Sequence, residues 1–304
     1  MPEAAAELKF LDPRALARVK SLELRTRKIV EGLMSGRHRS PFQGSSVEFA
    51  QHRPYVQGDD TRHIDWKVFG RSDKLHIKQF QEETQLQILL AVDASESMNF
   101  GSVKADDGST WTKFDHATTV AATLAYMATA QTDAVGLSIF DENLTRYFRP
   151  SSGRGQWRTI VNELQAVPRW NKTGLGGVLE QLARKTGQKS LVVILSDFFD
   201  DARSLERGLK ALRFRKHDVV CLQLLDPQEI EFPFQDVTMF KGMEESGELL
   251  TEPQALRRGY LAALAEHTEE MERACRRIDT DFYRFDTGES IGAPLGVFLG
   301  GRQK

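Results

Sequence analysis

The chain has 304 residues, 41 Lys and Arg against 43 Asp and Glu, a formal net charge of −2 and an apolar share of 40%. That composition excludes disorder throughout, and it argues against a surface built to coat nucleic acid, which relies on many cationic phosphate contacts. The length fits two domains or one α/β unit with an extension, and the two cysteines, Cys221 and Cys275, allow at most one disulfide and no Cys-x-x-Cys motif.

The opening residues Met1 to Glu7 lack the basic and apolar regions of a signal peptide, and every apolar run falls short of the about 18 residues of a membrane span. A cytoplasmic chain is expected. Residues 8–35 set Leu8, Leu11, Leu16, Val19, Leu22, Leu24, Ile29, Val30 and Leu33 among charges, which predicts one or two amphipathic helices. Residues 1–40 hold nine Lys and Arg against five acids. A solvated helix face is the simpler reading of that excess, and a nucleic-acid site is the alternative.

Gly36 to Phe80 is loop-rich and dense in Arg, Asp, His and aromatics, and reads as an irregular or short-stranded layer. Gly58-Asp-Asp-Thr61 is a turn, Asp60 or Asp65 can pair with Arg53, Arg62 or Arg71, and Trp66 and Phe69 are expected as apolar anchors. His52, His63 and His76 match no metal template by spacing.

The pattern then becomes regular. Gln87–Asp93 is an apolar strand ending in a carboxylate, Asn99–Thr112 an insertion expected as a mobile loop or hairpin, and Phe114–Ala130 a helix. Ala134–Phe140 is strand-like and Leu144–Phe148 can pair with it. Helices follow through Trp157–Leu164 and Leu175–Leu182, a strand at Ser190–Ser196, a helix at Leu205–Phe214 and a strand at Asp218–Leu225. A small β excursion over 230–250, a long helix from Leu256 to Cys275 and a strand at Asp281–Phe285 complete the series. Strands apolar on both faces and alternating with helices predict a doubly wound, mostly parallel α/β sheet. The expected division is 1–84, helical and irregular, and 85–304, the α/β domain.

Such sheets bind ligands at the carboxyl ends of their strands. Two strands end in acid-bearing loops, Asp93-Ala-Ser-Glu-Ser97 and Ser196-Asp197, and Thr173 lies in a turn opening a helix between them. Hydroxyl and carboxylate oxygens without a thiolate suit a hard cation such as Mg²⁺ rather than Zn²⁺. Alternation of Asp93, Ser95 and Ser97 in an extended segment points all three to one side, although Ser and Asp before a helix also serve as caps.

The order Asp-x-Ser-x-Ser, Thr, Asp resembles the metal-ion-dependent adhesion site of von Willebrand factor A-type (vWA) domains. The resemblance implies that Ser95, Ser97 and Thr173 contact a divalent ion (Mg²⁺, with Mn²⁺ or Ca²⁺ as alternatives). Asp93 and Asp197 would hold it mainly through water, and one position would stay open for a partner's acidic side chain. Upstream, Gly44-Ser-Ser-Val-Glu-Phe49, Arg53-Pro-Tyr55, Gly58-Asp-Asp60, Arg62-His-Ile-Asp-Trp66-Lys67, Arg71 and Leu75-His-Ile-Lys78 resemble the bacterial family called domain of unknown function fifty-eight. That resemblance implies a non-catalytic adaptor working with a MoxR-type AAA+ ATPase in assembling or activating other complexes. The Asn99–Thr112 insertion is expected to overhang the ion and help choose the partner.

No nucleophile elbow, phosphate-cradling loop, dinucleotide fingerprint or His-Glu-x-x-His helix occurs. A metal-dependent hydrolase using the strand-end carboxylates is the enzymatic alternative.

Overall fold

A computed structural model describes residues 13–17, 21–35, 49–57, 59, 61, 64–80, 86–104, 107–166, 174–242, 247–292 and 295. The expected positions Leu8, Leu11, Val19, Asp60, Arg62, His63 and Thr173, and the Gly44–Glu48 stretch, lie outside them. By contacts the chain divides into two compact units, Gln43–Leu86 on its own and Met1–Phe42 together with Gln87–Lys304.

In chain order the larger unit begins with α1 (Pro13–Ala17) and α2 (Leu22–Ser35). The smaller unit holds β1 (Phe49–Pro54), α3 (Trp66–Ser72) and β2 (His76–Phe80). The larger resumes with β3 (Gln87–Asp93), a 3₁₀ turn (Glu96–Asn99), a hairpin of β4 (Val103–Lys104) and β5 (Thr110–Trp111), α4 (Lys113–Ala130), β6 (Ala134–Phe140) and β7 (Leu144–Ser151). Then come α5 (Gln156–Gln165), α6 (Leu175–Lys185), β8 (Leu191–Ser196), α7 (Ala202–Phe214), β9 (Asp218–Leu225) and α8 (Pro227–Glu231). A second hairpin of β10 (Thr238–Lys241) and β11 (Glu248–Thr251) leads into α9 (Pro253–Arg277) and β12 (Asp281–Asp286).

Six strands form one sheet in the order β12-β9-β8-β3-β6-β7. All neighbours are parallel except β7, which runs antiparallel to β6 at the edge. Strand β3 is buried along Ile88–Asp93, so both of its faces must be covered. Leu89 and Ala91 sit in a cluster with Leu175, Val178, Leu179, Leu205 and Leu209 of α6 and α7 and with Met271 and Cys275 of α9. Alternation along a strand sends Ile88 and Leu90 to the opposite face. There α4 lies against β3, with α2 and α5 packed on α4. Close approach of α6 to α7 needs two glycines: a Cβ on Gly176 would stand 2.2 Å from Ser204 Oγ, and one on Gly208 2.7 Å from Leu179 Cβ.

Helix α4 starts where the sequence instructs it. Thr112 and Asp115 form a reciprocal capping box, satisfying two amides of the first turn. Arg25 of α2 bonds Asp115 at 3.0 Å and lies 4.9 Å from the Trp111 ring centroid, so α2 is fastened to that same helix start. The buried stripe predicted in the N-terminal helices therefore serves the sheet's own unit: Leu22, Ile29 and Val30 are covered.

In the smaller unit β1 and β2 form an antiparallel pair. Asp65 caps α3 by accepting from Lys67 N and Val68 N. Ile64 and Ile77 are buried, but Trp66, expected as an anchor, is 64% exposed, with its ring edge-on to Phe69 at 6.1 Å. At the first position of a three-turn-or-shorter helix a side chain can point outward as easily as inward, and the isoleucines fill the apolar role instead. Among the described residues no helix is long and apolar enough to cross a membrane.

Candidate cation-binding site at the strand ends

Chain order reverses at the centre of the sheet: β3 is followed in space by β6 on one side and by β8 on the other. A doubly wound sheet opens a crevice at that switch point, beyond the carboxyl ends of the strands. The parallel register sets Val92 beside Leu195, so Asp93 and Asp197 emerge together past neighbouring strand ends. Both are fully buried.

Asp93 is held from two sides. Its Oδ1 accepts from Ser95 N at 2.9 Å, bending the chain back after the strand, and its Oδ2 accepts from Ser196 Oγ at 2.6 Å. Ser196 also accepts from Phe198 N at 3.0 Å, so one hydroxyl ties the two loops together. Burial, followed by the Asp197 charge, pushes Asp93 up to about 7 against the opposing hydrogen bonds from Ser196 and Ser95. Ser95 Oγ and Ser97 Oγ stand 3.2 Å apart. Adjacent oxygens on an octahedral ion with bonds of about 2.1 Å are about 3 Å apart, so this donor pair and its hard-oxygen chemistry fit Mg²⁺. Among the described residues no group of three or more His, Cys, Asp or Glu is placed to hold a metal, so a cation here depends on the serine hydroxyls.

The structure thus brings Asp93, Ser95, Ser97 and Asp197 to one end of the sheet, while Thr173 lies outside the described residues. Its neighbour Gly174 is pressed onto the turn after β6, where a Cβ would meet Glu142 O at 2.8 Å.

Sequence reasoning missed the group beside Asp197. Lys113, at the first position of α4 and with no exposed side-chain area, donates from Nζ to Asp197 Oδ2 at 2.8 Å and to Glu229 Oε1 at 2.6 Å. Burial opposes its charge, but Asp197 and then Glu229 outweigh that and hold the ammonium above the ordinary lysine range. Burial raises Glu229 in spite of the lysine. A signal was present: a lysine opening a helix stands at the positive end of the macrodipole, where acids are favoured, and needs a reason to be there.

Glu229 is positioned by its own capping box, its Oε2 accepting from Asp226 N at 2.8 Å. Asp226 accepts from Ser102 N and Ser102 Oγ, at 2.8 and 2.5 Å. The insertion therefore runs as a short hairpin fastened to the N-cap of α8, the helix that carries Glu229, with residues 105 and 106 outside those described.

The loop after β8 is strained. Phe198 has φ +59°, a left-handed backbone uncommon for an aromatic, while its ring is buried and its carbonyl meets His267 Nε2 at 2.9 Å. That turn lifts Phe199 outward, 38% exposed, with its ring centroid 5.1 Å from Lys113 Nζ.

A family profile described as protein of unknown function DUF58 matches residues 51–270. An uncharacterized protein of Mycobacterium tuberculosis is 27% identical over 301 residues, covering 96% of this chain and 91% of its own. Among solved structures, the conserved hypothetical protein BatB of Bacteroides thetaiotaomicron is similar at 15% identity and TM-score 0.47, over 72% of this chain and 98% of that one. The VWA domain of SpRpn10 is similar at 12% identity and TM-score 0.40, over 70% and 94%.

Proposed function

Because the chain belongs to the DUF58 family and carries a vWA-like α/β fold, which suggests a protein-interaction module, we propose that it is a non-catalytic adaptor whose strand-end site holds a divalent cation. Its partner is an acidic side chain of another protein, with a MoxR-type AAA+ ATPase or that ATPase's client as the occupant. The observation that carries this reading is the convergence of Asp93, Ser95, Ser97 and Asp197 past the ends of β3 and β8, with Thr173 as the further proposed ligand. Mg²⁺ bound there supplies a coordination position that a carboxylate from outside can take.

The protein's own residues set the stage for that contact. Ser196 locks Asp93 in place, Ser95 N fixes its orientation, and exposed Phe199 offers an apolar rim beside the charge. The hairpin at 99–112, fastened to Asp226, is proposed to contribute to the choice of partner.

Capture of a co-expressed MoxR-type ATPase by the tagged chain is the test. Retention is expected with Mg²⁺ and is expected to fall to background with a chelator or in a Ser97→Ala chain whose circular dichroism matches wild type. Equal retention in all three samples would count against a cation bridge.

A further inference from the structure

We propose that the Lys113 ammonium is a built-in competitor for the divalent cation, occupying Asp197 when the ion is absent and retreating to Glu229 when it binds. This rests on the cation reading above and adds a device that sets the affinity of the site. The geometry has three parts. Lys113 Nζ takes one oxygen of Asp197, at 2.8 Å, the carboxylate that would otherwise face a cation beside Asp93. A second carboxylate, Glu229 at 2.6 Å, is already in place, so the ammonium has somewhere to stay when Asp197 is claimed by another charge. The lysine cannot leave for water, since its side chain is fully buried with Phe199 beside its end.

The energetics favour an exchange over coexistence. A unit charge and a double charge a few ångströms apart repel strongly where water is excluded. A single ammonium, that of Lys113, is held by two carboxylates, Asp197 at 2.8 Å and Glu229 at 2.6 Å, and the Asp93 carboxylate stands at the neighbouring strand end. The cluster therefore has negative charge to offer a second cation, provided that the lysine yields Asp197. Phe199 joins the two states to the surface, because its ring covers the ammonium and its outer edge is exposed.

Calorimetric titration of Mg²⁺ into chelator-stripped protein tests this with Lys113→Met, Lys113→Arg and Glu229→Gln, with Asp93→Ala as the site control. Lys113→Met is expected to bind about tenfold tighter or more than wild type, Lys113→Arg within about threefold of it, and Glu229→Gln more weakly, since the ammonium then has only Asp197. A folded Lys113→Met that binds no tighter overturns the proposal; if that variant fails to fold, Glu229→Gln binding as tightly as wild type overturns it. Wild-type binding that depends on Asp93 while Lys113→Met shows no gain removes only the competing lysine. Absence of Asp93-dependent binding in every protein removes the cation site and the inference with it.

Discussion

In chelator-treated protein, Lys113→Met is expected to lower the unfolding free energy by roughly 3–5 kcal/mol, the range for deleting one partner of a buried ion pair. The cost comes from what is left behind. Asp197 and Glu229 share the lysine's ammonium, and without it a fully buried and a largely buried carboxylate are left close together with no counter-charge. Methionine replaces the aliphatic stem with little change in volume, so the loss reports charge rather than a cavity. Urea unfolding followed by circular dichroism measures it. Lys210→Met is the control, because this exposed lysine pairs with Glu206 one turn away on the same helix, and such surface pairs are worth little. Mg²⁺ should stabilise Lys113→Met by more than it stabilises wild type or the Lys210→Met control, both of which keep the competing lysine. A Lys113→Met chain as stable as wild type would contradict the role given to this cluster.

The second large effect is on pH dependence, through His116. This residue is fully buried on α4, accepts a hydrogen bond from Trp111 Nε1 at 3.4 Å and is pushed down to about 3, chiefly by burial. Its folded pKa lies below the unfolded value of 6.5, so the fold holds the neutral ring. Above pH 6.5 both states are neutral and the group contributes its full stability. Below that the unfolded chain takes up a proton that the folded one refuses, costing about 1.4 kcal/mol per pH unit and about 3 kcal/mol by pH 4. Asp93 and Glu229 act with the opposite sign: their raised folded pKa values favour the fold as pH falls toward their unfolded values. A comparison with His116→Gln isolates the histidine. Urea midpoints between pH 7.5 and 4.5 should fall more steeply in wild type than in His116→Gln, and parallel slopes would sink this account.

Strands β3, β6, β8 and β9 were legible because buried parallel strands write themselves as short continuous apolar runs, and their ends follow directly. Asp93, Ser95, Ser97 and Asp197 were found for that reason: each lies at, or within four residues of, a strand end that local pattern fixes. Lys113 was not, because its partners lie 84 and 116 residues further along the chain and only the closed sheet brings them together. The unfavourable place of a lysine at a helix start was the trace it left. Ser196 was quoted only as the end of an apolar strand, although a hydroxyl there is what joins Asp93 to the β8 loop. For α2 the periodicity announced a buried stripe but not what buries it, and the answer, α4, required tertiary contact. Trp66 shows the converse: large apolar size does not decide burial where a short helix leaves the side chain turned outward.

Mg²⁺ titration into wild type and Asp93→Ala decides whether the strand-end oxygens hold a divalent cation. One bound ion in wild type and none in a folded Asp93→Ala is the predicted result. Equal binding by the two proteins would contradict it.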